Sequence, residues 1–345
     1  MKTLNVAVAG YGWAAGAHID AINATGRAQV TAIYSSREHD AAALSSRHNS
    51  PISLHRDFQE LLDDPEIDVI DLTSYPSQHK DQAIAAARAG KHLIIEKPLA
   101  MSLDDSRAIR DAVREAGVKA MVCLECRFGG QFLTTRKLID QGLLGELHYA
   151  EVDYYHGIGP WYGQFRWNVK RDNGGSSLLS AGCHALDALL LCMGDEVEEV
   201  SAMATYSRSE MFAPYEYPTT QVNILRFKDG RVGKCASVID CQQPYYFHTH
   251  LVGSEGSLLD NKFYTTKLGS LKKEWSSLQM AMLDSGDVSD HPYQSQFEAF
   301  FDATNEGRDM PLTSLEEAYR SFRVLFACDL AAEEKRPVKL AELPE

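Results

Sequence analysis

The first 124 residues alternate short strand-like runs with helical stretches, and this alternation limits the possible folds more than any other feature of the chain. Leu4–Ala9 precedes a helical pattern near Ala17–Ala24, and Val30–Tyr34 follows it. Then come Asp68–Thr73, a helix over Gln82–Ala89, His92–Glu96, a helix over Leu103–Ala116, and Lys119–Leu124. Strands separated by helices of this length pair in parallel, each helix serving as a crossover, so the pattern predicts a doubly wound sheet of the α/β class.

Beyond residue 124 the pattern changes. Helices are expected near Phe132–Gln141 and Ser176–Cys192. Longer β-like runs lie at Leu147–Tyr155, Val197–Tyr206, Thr219–Phe227, Arg231–Val238 and Phe247–Gly253, some joined by turns such as Lys228-Asp229-Gly230. Strands linked this way make a largely antiparallel sheet. The expectation is a first domain over residues 1–124 and an α+β second domain over 125–345, with the helical stretch Gln294–Glu334 returning to pack on the first. At 345 residues, 44% of them hydrophobic, the chain is long enough for two cores.

The turn after the first strand carries chemistry. Gly10-Tyr11-Gly12-Trp13-Ala14-Ala15 has the G-x-G-x-x-A spacing of a dinucleotide-binding turn. Gly10 permits the tight turn, Gly12 lets the backbone approach a pyrophosphate, and Ala15 is small enough for close helix–sheet packing. The helix N-terminus then offers N–H groups and a positive dipole end to the phosphates, with Trp13 in the same turn. The second strand ends in Tyr34-Ser35-Ser36-Arg37, without the Asp or Glu that would hold the ribose hydroxyls of NAD and repel a phosphate. Two hydroxyls and a guanidinium suit a 2′-phosphate, so Ser35, Ser36 and Arg37 favour NADP over NAD. Tyr75 and His79, after the strand Asp68–Thr73, are expected to line the cofactor.

The strand ending Leu93-Ile94-Ile95 runs into Glu96-Lys97-Pro98. Ligands of such sheets bind beyond the carboxyl ends of the strands, so Lys97 stands where a nicotinamide would project, and Pro98 fixes the backbone after it in a bond suited to the cis form. A surface ion pair is the alternative for Glu96 and Lys97. Charges placed directly after three aliphatic residues at a strand tip serve solubility poorly.

Taken in order, four pieces resemble the Gfo/Idh/MocA oxidoreductases, of the glucose-fructose oxidoreductase and inositol dehydrogenase type. They are the G-x-G-x-x-A turn, Glu96-Lys97-Pro98, Arg127-Phe128 followed by Leu138-Ile139-Asp140-Gln141-Gly142-Leu143-Leu144-Gly145-Glu146, and Gly174-Gly175 with Gly182-Cys183-His184-Ala185-Leu186-Asp187. The resemblance implies a Rossmann domain followed by a substrate domain, and hydride transfer between a nicotinamide and a hydroxyl of a sugar, an inositol or a related compound. It implies catalytic roles for Lys97 and His184. Where the family's D-x-G-x-H pattern has its aspartate, this chain has Ser180.

If Ser176–Cys192 is helical, Ser180, His184 and Asp187 share a face, while Leu178, Leu179, Ala185, Leu186 and Leu189 occupy others. Asp187 is then expected to accept a hydrogen bond from one His184 ring nitrogen and orient the other. The ordinary histidine pKa is about 6.5, and a lysine's falls near another cation or in an apolar pocket, so either Lys97 or His184 suits the base that takes a hydroxyl proton. Ser180 is neutral and is expected to hold the substrate or a water. His156, Trp161, Tyr162, Arg166 and Trp167 make a loop dense in aromatic rings, which suit the C–H faces of sugars; with Arg127 they are the expected substrate contacts, packing of the loop on its own domain being the alternative. His248 and His250 alternate on a strand and share a side, but with no acid or cysteine nearby in the sequence a metal site is not expected there, nor at Cys123-x-x-Cys126.

Charge narrows the partners. Lys and Arg total 34 against 48 Asp and Glu, a formal charge of −14, with the basic residues dispersed; nucleic acid and an anionic membrane surface are not expected. No stretch was found that approaches the roughly 20 apolar residues of a membrane span, and the start MKTLNVAVAGYG lacks the pattern of a signal peptide. Seven cysteines, mostly in apolar segments, read as reduced, and a cytoplasmic protein is expected. An exposed sheet face needs cover, which predicts a homodimer or homotetramer through the C-terminal sheet. The first functional expectation is an NAD(P)-dependent sugar or polyol dehydrogenase. The alternatives are a redox-neutral glycoside-cleaving enzyme, acting by transient oxidation and elimination, and a non-catalytic dinucleotide-binding sensor, against which Lys97 and His184 both argue.

Overall fold

Strands that are apolar on both sides have to be covered on both sides. In the computed structural model, which describes residues 2–269, 274–283, 286–288 and 291–345, such strands build the first of two units, formed by Met1–Glu125 and Asp287–Tyr319. β1 (Leu4–Ala9), β2 (Ala28–Tyr34), β3 (Ser53–His55), β4 (Val69–Leu72), β5 (His92–Ile95) and β6 (Ala120–Val122) form one six-stranded sheet in the order β3-β2-β1-β4-β5-β6. Every pair is parallel, and β4 is buried at each of its residues. The strand order reverses between β1 and β4, the place where such sheets open a crevice at their carboxyl edge.

Local chemistry sets the helix ends. Helix Leu103–Ala116 starts at Ser102, whose side chain accepts the Asp105 N–H, carries Asp104 and Asp105 in its first turn, and stops at Gly117 in the left-handed conformation. The sequence reading assigned no elements between residues 38 and 67, where the structure has helix Ala41–His48, β3 and helix Phe58–Asp63. The two helices begin at Asp40 and Asp57, which accept first-turn N–H groups. At 8 and 6 residues they are too short to show an apolar period. Helix Tyr293–Asn305 also belongs to this unit, and it sets the rings of Tyr293 and Phe297 against His18.

The second unit comprises Cys126–Gly286 and Arg320–Glu345. Its strands are β7 (Leu147–Tyr155), β8 (Val197–Thr205), β9 (Thr220–Phe227), β10 (Val232–Val238), β11 (Tyr246–Gly253), β12 (Gly256–Leu259), β13 (Lys262–Thr265), β14 (Ser276–Ser277) and β15 (Val338–Lys339). They form a nine-stranded sheet in the order β14-β13-β12-β11-β7-β10-β9-β8-β15, antiparallel except where β7 meets β10. β9 alternates strictly, with Gln221, Asn223, Leu225 and Phe227 buried and Val222, Ile224 and Arg226 exposed. Helix Cys183–Met193, buried along its whole length, packs on β7 and β10.

Two expectations are corrected here. The stretch Ser176–Cys192 is not one α-helix: a π-helical segment, Leu178–Gly182, leads into helix Cys183–Met193. The wide turn sits where the chain presses on β10, since a Cβ at Gly182 would lie 2.4 Å from that of Ser237. Arg171–Met193 is, in addition, long and apolar enough to cross a membrane, which the sequence reading did not find; 89% of its apolar window is buried inside the protein, where it serves as core. All seven cysteines are free and six of them are buried.

Candidate active site

At the carboxyl edge of the first sheet, β1 runs into Gly10, whose φ is +98° and whose Cβ, if present, would lie 2.8 Å from the Ser74 Cα. Only glycine fits that turn. At Gly12, by contrast, a Cβ would meet nothing closer than the Thr73 carbonyl at 3.9 Å, which leaves room for a ligand to approach the backbone. Helix Ala15–Ala24 begins at Ala14, whose side chain caps nothing, so no side chain caps its first-turn N–H groups. Trp13 and Tyr75 are exposed, as are Ser36 and Arg37 just past β2.

Other members of the expected cofactor set have a different place. Ser35 is buried, its Oγ accepting the Arg37 N–H at 3.2 Å and meeting His39 Nε2 at 3.1 Å. Arg56, which the sequence reading missed, brings a guanidinium to this strand tip and donates to the Ser35 carbonyl at 3.4 Å. His79 is fully buried, with Nδ1 2.8 Å from the Pro98 carbonyl and Nε2 3.3 Å from the Ser74 carbonyl. Burial keeps its ring neutral, so its one N–H goes to the shorter contact. His79 thus ties two loops of the sheet edge together rather than presenting itself to a ligand.

β5 delivers Glu96-Lys97-Pro98 at the same edge, with a cis Lys97-Pro98 bond and a half-buried Lys97. A surface ion pair does not describe Glu96, which is buried. Its Oε2 accepts the Lys97 N–H at 2.9 Å, while its Oε1 accepts the Tyr293 hydroxyl at 2.9 Å and lies 3.1 Å from His18 Nε2. The other ring nitrogen of His18 lies 3.0 Å from Asp71. Burial disfavours charge on both His18 and Glu96, but Asp71, with Cys123 beside it, outweighs it at His18, which stays protonated, and His18 in turn holds Glu96 down at about 2. An imidazolium between two carboxylates therefore fixes the backbone that carries Lys97. Glu125, also buried, is pushed up to about 8 by burial and by Glu96, and its Oε1 lies 3.2 Å from His291 Nδ1. Burial and the Lys97 charge hold His291 at about 4.

In the second unit, His184 is buried in helix Cys183–Met193, and a ring nitrogen lies within 4.8 Å of the Cys126 sulfur. Asp187 does not orient it. The Asp187 carboxylate accepts two bonds from Arg127, at 2.7 and 2.6 Å, and one from the Ser321 hydroxyl at 2.7 Å. This buried fork also withdraws Arg127 from the substrate contacts, since its guanidinium is held inside the unit. Ser180 lies in the π-helical segment and is half-buried.

Much of the aromatic loop packs on its own unit. His156 bonds the Tyr154 hydroxyl through Nδ1 at 2.9 Å, and its ring meets Tyr162 and Tyr245 edge-on. Tyr162 donates to the Gly286 carbonyl. Trp161, at 61% exposure, and Arg166 remain open to solvent, and Trp167 is half-buried. His248 and His250 do have an acid nearby, contrary to the sequence reading: Glu151, on the neighbouring strand β7, lies 4.0 Å from His248 Nε2, and Lys234 already bonds its carboxylate.

Two family models match the chain. The one described as "Oxidoreductase family, NAD-binding Rossmann fold" covers residues 4–124, and the one described as "Oxidoreductase family, C-terminal alpha/beta domain" covers residues 136–340. The chain is 25% identical to the myo-inositol 2-dehydrogenase of Thermotoga maritima over 289 residues, 84% of each chain. It is 30% identical to the 1,5-anhydro-D-fructose reductase of Ensifer adhaerens over 251 residues, 72% of this chain and 73% of that one. The structure of levoglucosan dehydrogenase in complex with NADH matches with a TM-score of 0.87 at 22% identity, over 98% of this chain and 99% of that one, a likeness of fold.

Proposed function

This chain belongs to the Gfo/Idh/MocA family of NAD-binding oxidoreductases, and on that premise we propose that it moves a hydride between a nicotinamide cofactor and a secondary hydroxyl or ketone of a sugar, polyol or sugar derivative. One observation carries the reading: the Gly10–Ala15 turn and Lys97 leave the same carboxyl edge of one parallel sheet, on strands flanking β4. The residues fit a dinucleotide, because the open space at Gly12 and the uncapped N-terminus of helix Ala15–Ala24 form a pyrophosphate seat. The named inositol dehydrogenase and anhydrofructose reductase support a polyol or sugar as the substrate class.

When bound, the nicotinamide supplies the hydride chemistry. Lys97, fixed by the Glu96 carboxylate at its own N–H, and His184 handle the proton of the reacting hydroxyl. Ser180, His156, Trp161, Arg166 and Trp167 remain the candidate substrate contacts. The exposed Ser36 and Arg37 favour NADP over NAD, since the last residues of β2 carry no acid to repel a 2′-phosphate; Arg56, beside them, pairs with Glu38 at 3.6 Å. A second copy of the chain is the proposed cover for the open face of the large sheet, and the free cysteines suit a reducing compartment such as the cytoplasm.

The test follows nicotinamide absorbance with NAD+ and NADP+ against myo-inositol and levoglucosan, and with NADPH against 1,5-anhydro-D-fructose. Cofactor turnover matching substrate loss is expected with at least one probe, and Lys97→Ala and His184→Ala should lose it. Release of aglycone from a glycoside without net cofactor reduction would favour the redox-neutral alternative instead.

A further inference from the structure

We propose that Glu125 is the proton-holding partner of Lys97: a buried carboxyl that takes a proton from Lys97 so that Lys97 accepts the one on the substrate hydroxyl, and returns it when the reaction runs in reverse. This rests on the hydride-transfer reading above.

The backbone sets the two residues side by side. β5 and β6 are parallel neighbours in which Ile95 pairs with Val122, and the Cys123 N–H donates to the Ile95 carbonyl at 2.8 Å. Lys97 is the second residue past Ile95 and Glu125 the third past Val122, so both leave the sheet at one edge. Glu125 is only 1% exposed. A glutamine of the same shape would avoid the desolvation of a carboxylate, so packing alone does not account for an acid there. Within its own unit, the groups facing it include Glu96, Lys97, His18, His291 and Tyr293. They are linked by close contacts: His291 Nδ1 lies 3.2 Å from Glu125 and 3.4 Å from the Tyr293 hydroxyl, which donates to Glu96. Cys126, the next residue in the chain, has its sulfur within 4.8 Å of a His184 ring nitrogen.

Two opposed influences poise the group. Burial and Glu96 favour its neutral form, Lys97 favours its ionised form, and the balance at about 8 leaves Glu125 able to give or take a proton near neutrality. In the oxidation direction the substrate C–H breaks as hydride leaves for the nicotinamide. The Lys97 ammonium passes a proton to the Glu125 carboxylate, and the amine so formed takes the O–H proton, so the pair ends holding the one proton released. Reduction reverses each step. Glu125 acts through Lys97 and is a positioning residue rather than a catalytic one. Ser180 has no ionisable group to offer for this purpose.

The test has a spectroscopic arm that needs no turnover. In the whole protein, the carboxylic C=O stretch lost on Glu125→Gln should titrate with a midpoint near 8. Lys97→Met should move that midpoint upward, because the ammonium that favours the carboxylate is gone, and Lys97→Arg should restore it. With the best probe substrate, Glu125→Gln should lower kcat about 100-fold, flatten the matching limb of the pH profile and leave the cofactor KM within about twofold, and Glu125→Asp should recover the limb. A midpoint that ignores Lys97→Met, or a kcat profile unchanged by Glu125→Gln, overturns the proposal. If wild-type protein turns over none of the probes, the substrate reading fails, while the carboxyl titration still decides whether Glu125 and Lys97 share a proton.

Discussion

Glu96 and Glu125 lie in one buried cluster and carry opposite consequences for stability. Glu96 is held at about 2 against an ordinary 4.5, so the folded chain binds fewer protons than the unfolded one between these values. Its contribution is complete above the unfolded value and is lost as pH falls from about 4.5 towards 2, worth about 3 kcal/mol and counted once with His18. Glu96→Gln is predicted to destabilise the protein by about that amount at neutral pH and much less near pH 3, measured by urea unfolding at both. Glu125 is raised from 4.5 to about 8, so stability falls as pH rises through that window. Glu125→Gln should accordingly leave the melting temperature unchanged near pH 4 and raise it near pH 9, by up to about 5 kcal/mol in stability. Lys97 and His184 stand out as candidates in the sequence because each sits in a local motif. His18, Glu125 and His291 were not, because burial and partners define them: His18 meets acids 53 and 78 positions away, and Tyr293 reaches Glu96 across 197.

Among the elements, the strands and long helices follow from apolar period, turn glycines and caps, and the parallel order of the first sheet follows from the alternation of β and α. The π-helical segment Leu178–Gly182 has no such local signal, since contact with β10 accompanies it. Gly182→Ala would place a Cβ 2.4 Å from that of Ser237 and should destabilise by about 2 kcal/mol or more, seen in denaturant midpoints, with Ser237→Gly recovering part of the loss in the double variant. The same long-range packing undid the expected Asp187–His184 pair. Helical spacing made the two neighbours, but it could not show that Arg127, 60 positions away, already holds that carboxylate.

For the whole molecule, the nine-stranded sheet leaves apolar side chains of β8, β9 and β10 exposed. Ile224 and Val232 are 44% and 37% exposed on strands whose alternate residues are core, and Met203 on β8 is 83% exposed. With a second copy as the proposed cover, Ile224→Asp should shift sedimentation towards the monomer while leaving the fold's circular dichroism unchanged; a monomeric wild type would contradict the proposal. The central claim is that Lys97 and the glycine turn serve one hydride transfer at the edge of the first sheet. A substrate deuterated at its carbinol carbon tests it most directly, with the product cofactor read by NMR. The account predicts deuterium at C4 of the reduced nicotinamide, and its loss in Lys97→Met; deuterium retained by the substrate carbon or released to water, with no label on the cofactor, would contradict it.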